Sequence, residues 1–168
     1  WAKLHNLKQA ARTLNFLTEH EIESYPDLES RVAEITAAST EAAAALKAAE
    51  RRLAEMAVLI KDVTTCKELR PLVQEYQRVA DKKQFRRKHE GALILYEAAA
   101  KALKEQSFQK LPDLYALKDE HKLLAEQKDQ LQRQYAEAKR QMQEYGIIKQ
   151  NVDGILRTTP GKEQVQER

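Results

Sequence analysis

Leu28–Val63 reads LESRVAEITAASTEAAAALKAAERRLAEMAVLIKDV, and Leu114–Leu156 reads LYALKDEHKLLAEQKDQLQRQYAEAKRQMQEYGIIKQNVDGIL. In the first, Leu28, Val32, Ile35, Ser39, Ala42, Leu46, Ala49, Leu53, Met56, Ile60 and Val63 recur at steps of three and four. In the second, Leu114, Leu117, His121, Leu124, Lys128, Leu131, Tyr135, Ala138, Met142, Tyr145, Lys149, Val152 and Leu156 do the same. A mean step near 3.5 marks helices that wind around a partner along a narrow seam. The spacing predicts an all-α fold. The expected form is an elongated antiparallel two-helix coiled coil with a small helical subdomain at one end. A three-helix bundle is the alternative, and it would require a wider apolar face.

The rest of the chain supports helix. Its 168 residues hold four Gly and four Pro, so places to turn are few. Aromatic residues make up 6%, too few for a thick globular core. A first helix is expected from about Ala2 to Thr18, with Leu4, Leu7, Ala11, Leu14 and Leu17 on one face. Trp1 and Phe16 could widen that face. Ser24 suits an N-cap, with Asp27 three residues on and Pro26 tolerated in the first turn. The helix that follows is expected to end near Val63. Thr65-Cys66-Lys67-Glu68 reads as a capping box that opens a short third helix to about Ala80. Asp81-Lys82-Lys83-Gln84 reads as another start, for a helix to about Gln106 with a kink or close contact at Gly91. Asp113 is the expected cap of the last long helix. The domain reading is a linker helix over 1–23 and a coiled-coil domain over 24–156. That domain has long helices at 24–63 and 113–156 and a tip subdomain at 65–110; a disordered tail follows at 157–168. Pairing Val63 with Leu114 sets Leu53 against Leu124, Leu46 against Leu131 and Ala42 against Tyr135.

Several classes of function are disfavoured. Cys66 is the single cysteine, which excludes an internal disulfide and suits a reducing compartment. No apolar run nears the roughly 20 residues of a membrane span, so no membrane insertion is expected. A cytoplasmic, bacterial location is expected. The chain opens at Trp1 inside helical sequence and reads as a piece of a larger protein, monomeric as a fragment. His5, His20, His89 and His121 lack metal-ligand spacing, and no Gly-rich phosphate loop is present. No catalytic residue, metal ligand or cofactor is assigned. His121 reads as a polar interruption that fixes register.

Charge is uneven. Residues 64–110 carry 11 basic and 6 acidic side chains, against 8 and 10 before them and 10 and 10 after. The excess centres on Lys82-Lys83-Gln84-Phe85-Arg86-Arg87-Lys88-His89. Lys82/Arg86 and Lys83/Arg87 are like-charge pairs one turn apart. They sit at a helix N-terminus, where the dipole opposes cations. A bound polyanion relieves both conflicts. Lys82, Lys83, Arg86, Arg87 and Lys88 are therefore the candidate nucleic-acid-binding residues. Phe85 either anchors this turn or stacks on a base, anchoring being the favoured reading.

Trp1-Ala2-Lys3-Leu4-His5-Asn6-Leu7-Lys8 and Thr13-Leu14-Asn15-Phe16-Leu17 resemble the segment after the catalytic domain of mobilisation-type relaxases from bacterial conjugative transposons. So do Lys82–His89, Ile94-Leu95-Tyr96-Glu97-Ala98-Ala99, Lys110-Leu111-Pro112 and Asn151-Val152-Asp153. The resemblance spans nearly the whole chain and rests on dispersed helical positions. It implies a parent enzyme that nicks DNA through a tyrosine and a histidine-held metal. The paired histidines of that metal motif are not in this sequence, so the resemblance implies a non-catalytic C-terminal helical region. It would contact DNA backbone near the transfer origin. The alternatives are an adaptor that docks to a coupling protein or another relaxosome subunit, or a passive spacer or dimerisation rod.

Overall fold

A computed structural model describes residues 2–106, 108 and 110–158, with side chains from His5 to Arg157. Four helices follow in order: α1 (Ala2–Glu19), α2 (Tyr25–Arg78), α3 (Lys82–Glu105) and α4 (Leu114–Thr158). No strand occurs among the described residues. The helices divide into two compact units. The first joins residues 1–46 and 131–168, the second residues 47–130. Each unit therefore draws on three helices.

The seams behave as their spacing predicts. Every member of the Leu28–Val63 stripe is buried or half-buried, and so is every member of the Leu114–Leu156 stripe except Leu156. In the first unit, Phe16, Ile22, Leu28, Tyr145 and Ile148 form the core, with Leu17, Val32, Ile35 and Val152 around it. Polar groups lock the same helices. Tyr25 donates to Asp153 Oδ1 at 2.6 Å, and Lys149 Nζ donates to the Tyr25 hydroxyl at 2.8 Å. Lys149 also meets Glu29 and Asp153, each at 3.4 Å. In the second unit, Met56, Val63, Cys66, Ala99, Leu103 and Leu117 form the core. Arg52 meets Glu120 at 3.3 Å there. In both units α2 and α4 run antiparallel, since early positions of one meet late positions of the other.

The helix ends obey local chemistry. Ser24 Oγ accepts from the Asp27 N–H at 3.3 Å, and the Asp113 carboxylate accepts from the Tyr115 N–H at 3.2 Å. α1 closes with Glu21 at φ 53, in the left-handed region. The Ile22 N–H reaches the Leu17 carbonyl at 2.9 Å and the Glu21 N–H reaches that of Thr18 at 3.2 Å. This is the Schellman pattern, and its expected apolar contact is present because Ile22 and Leu17 share the core.

Three expectations need correction. The long helix does not stop at Val63: α2 continues through Thr65–Glu68 and Pro71 to Arg78, so no separate helix opens there. Cys66, Leu69, Val73 and Tyr76 keep the buried phase after Val63, while Pro71 is exposed. The Thr64 hydroxyl donates back to the Ile60 carbonyl at 2.7 Å, a mid-helix role. Proline inside a helix costs about 3 kcal/mol, and packing along this extended seam offsets it. Second, residues 1–23 hold more than a linker, since α1 contributes Phe16 and Leu17 to the core of the first unit. The face it buries is not the leucine stripe. Thr13 and Phe16 are buried, whereas Leu7 and Leu14 are 67% and 65% exposed. Asn151 explains the turn of the helix: its amide donates to Thr13 Oγ1 at 3.1 Å and it also bonds Gln9. Third, the break inside α3 falls at His89 (φ −123, ψ 24), two residues before Gly91. Of the expected tail at 157–168, residues 157 and 158 belong to α4 and 159–168 lie outside the described residues.

Candidate nucleic-acid interface

The basic segment is built from the Asp81 cap outward. α2 ends at Arg78, and Asp81 restarts the chain as the N-cap of α3. Its carboxylate accepts from the Gln84 N–H at 3.0 Å and its carbonyl from the Phe85 N–H at 3.2 Å. Part of the amide array at this terminus is thus taken by the chain's own carboxylate. A phosphate here would be held by side chains more than by the helix end.

Lys82, Lys83, Arg86, Arg87 and Lys88 are all exposed on the first two turns of α3. Phe85 points the other way and is half-buried. Its ring lies 6.0 Å from Tyr76 of α2 and 4.5 Å from His89. Phe85 is therefore the anchor that fixes the cationic turns to α2, not a ring left free to stack on a base. Beyond the His89 break, Leu93, Ala99 and Leu103 are buried, and Ala99 and Leu103 hold that part of α3 in the core of the second unit. The break lets one helix serve two directions: a packed C-terminal part and a solvent-facing cationic start.

Ion pairing leaves most of this charge unspent. Arg86 meets Glu97 at 3.4 Å, with both side chains about half in water. Lys82, Lys83, Arg87 and Lys88 have no carboxylate within ion-pair distance among the described residues. The Tyr76 hydroxyl, and after it Glu97, push the Arg86 guanidinium above its ordinary pKa, so it stays charged at any working pH. Tyr76 was not legible as an Arg86 partner, because a helix start at Thr65 would have separated it from the seam. Arg78, exposed in the last turn of α2 and three residues before Asp81, extends the positive segment. Counting cations on both sides of the cap would have found it.

Other reactive groups are engaged structurally. Cys66 is buried, and burial, then Asp62, pushes its thiol pKa up, away from thiolate chemistry. His20 stacks on Phe16 at 3.9 Å and its Nδ1 lies 2.9 Å from the Phe16 carbonyl. Burial likewise raises Tyr145. Among the described residues, no three His, Cys, Asp or Glu side chains gather closely enough to hold a metal ion. None of the described helices is long and apolar enough to cross a membrane. The chain matches no family model, no curated protein and no solved structure.

Proposed function

We propose that this chain is a non-catalytic helical region of a conjugative relaxase that grips DNA backbone through Lys82, Lys83, Arg86, Arg87 and Lys88. Its place in a relaxase rests on the sequence resemblance. The grip rests on one observation: five exposed cations on two turns of helix, of which Arg86 alone faces a carboxylate among the described residues. Such a surface is costly to keep without an anion, because like charges one turn apart repel and the helix dipole adds to the penalty. Phosphate oxygens relieve both. Cations of this kind fix position on the duplex without reading base sequence. The Phe85 anchor supports that role, because a rigid cationic turn loses less freedom on binding than a loose one.

Fluorescence anisotropy with a labelled duplex at low salt tests the proposal. The chain should bind, and Arg86→Glu with Arg87→Glu should abolish binding while circular dichroism reports unchanged helicity. Absence of binding by the unaltered protein at low salt refutes it.

A further inference from the structure

The cations at the start of α3 do not share one face. A helix turns by about 100° per residue. Phe85 marks the side that meets α2, since its ring lies 6.0 Å from Tyr76. From that direction, Lys82, Arg86 and Lys83 fall at about 60°, 100° and 160° around one side of the helix. Lys88 and Arg87 fall at about 60° and 160° around the other. All five are exposed. They fan over roughly 240° of the helix surface, both flanks and the crest. The His89 break and the exposed Glu90 end the fan after two turns. The two rings of the segment point away from it: Phe85 and His89 are half-buried and lie 4.5 Å apart.

We propose that the first two turns of α3 seat in the major groove of duplex DNA, with Lys82, Lys83 and Arg86 on the phosphates of one strand and Arg87 and Lys88 on those of the other. The seating rests on the DNA reading proposed above and narrows it to a B-form duplex. Shape carries the choice. A single strand offers one line of phosphates, which cations on one side of a helix would satisfy. Grooves that hold single strands also add aromatic rings on which bases stack, and here both rings are turned inward. A duplex offers phosphates on both walls of a major groove about 12 Å wide, and a helix with its side chains is roughly 10–12 Å across. Cations on both flanks suit two walls. An RNA duplex carries comparable backbone charge, but its major groove is deep, narrow and closed to side chains. Arg86 reaches phosphate by leaving Glu97, an exchange that a pair about half in water permits.

Three labelled probes of equal length test the seating against the full chain: a DNA duplex, an oligothymidine strand that cannot self-pair, and an RNA duplex that controls for charge density. Anisotropy at low salt should show the DNA duplex binding at least tenfold more tightly than either of the others. Lys82→Ala and Lys88→Ala, on opposite flanks, should each lower the salt slope on the DNA duplex by about 0.9. Circular dichroism should be unchanged in both, because both side chains are already in water. If the oligothymidine or the RNA duplex binds as tightly as the DNA duplex, the groove seating is overturned while the backbone grip stands. An unchanged slope in Lys88→Ala also overturns the seating, since only one wall is then held. If none of the three probes binds, the DNA reading itself fails and the seating with it.

Discussion

Salt dependence offers the sharpest check on the cationic start of α3. Each lysine or arginine that replaces a condensed counterion on duplex DNA adds about −0.9 to the slope of log affinity against log salt. The structure offers four cations without a carboxylate partner among the described residues and a fifth, Arg86, in an exposed pair with Glu97. An exposed pair of this kind contributes little and is readily exchanged for phosphate. Four to five contacts give a slope of roughly −3.6 to −4.5, so a fourfold rise in salt weakens binding by roughly 150- to 500-fold. Removing Arg86 and Arg87 as alanines leaves three contacts and a slope of about −2.7. Glu97→Gln, which frees Arg86 without removing it, should leave the slope at its upper value and tighten binding slightly. Anisotropy titrations at four or five salt concentrations measure all three. A slope near zero, or an unchanged slope in the double alanine variant, would show that these residues do not hold phosphate.

Four further outcomes follow from packing and electrostatics. Leu28 is almost fully buried in the first unit, so Leu28→Ala should cost about 3 kcal/mol in a denaturant melt, and a loss below ~1 kcal/mol would contradict its core role. Glu21 holds a left-handed conformation, so Glu21→Gly should raise stability by about 1 kcal/mol, visible as a higher melting temperature. Cysteines placed at Ala42 and Tyr135 should join on oxidation if the antiparallel register of the first unit runs on from Tyr25–Asp153 and Glu29–Lys149; failure to join would mean a shifted register. The fourth outcome concerns acid. The Tyr25 hydroxyl, and next the Lys149 ammonium, hold the Asp153 carboxyl below its ordinary range. A carboxyl lowered on folding stabilises above its unfolded pKa, near 4, and loses that contribution as pH falls through the folded value. Melting temperature should therefore drop as pH falls below about 4, and Asp153→Asn should flatten that drop. Lys149, raised on folding mainly by the Tyr25 hydroxyl, acts in the opposite direction. Its share is complete below the unfolded lysine value near 10.5 and fades as alkali titrates the folded group.

How much was legible in advance depended on how local the physics was. Ser24, Asp81 and Asp113 cap helices through oxygens two to three residues from the amides they satisfy, so the sequence displays both partners. The capping pattern at Thr65–Glu68 has the same local form and does not cap. Its backbone amides are already bonded within α2, because Val63 before it and Cys66 within it are pulled into the core of the second unit. Phe85 was readable as an anchor from its apolar character amid cations, but its contact, Tyr76, lies across the inter-helix connector.

The sequence alone determined that this protein is helical and which side of α2 and α4 faces inward. Heptad spacing fixes both, because a helix turns by a constant angle and its apolar row must leave water wherever a partner stands. It also determined where positive charge accumulates, since charge needs no fold to be counted. Tertiary structure decided what periodicity could not rank. It chose Thr13 and Phe16 over the more regular Leu7 and Leu14 as the buried face of α1, because Asn151 and the Tyr145 ring on α4 offer a hydroxyl and an aromatic ring complementary partners. It carried α2 through a proline, because the gain from packing beyond Val63 exceeds the loss of one helical hydrogen bond. Which side chains remain in water is settled by how many faces the neighbouring helices can cover, and that number is not written in any single helix.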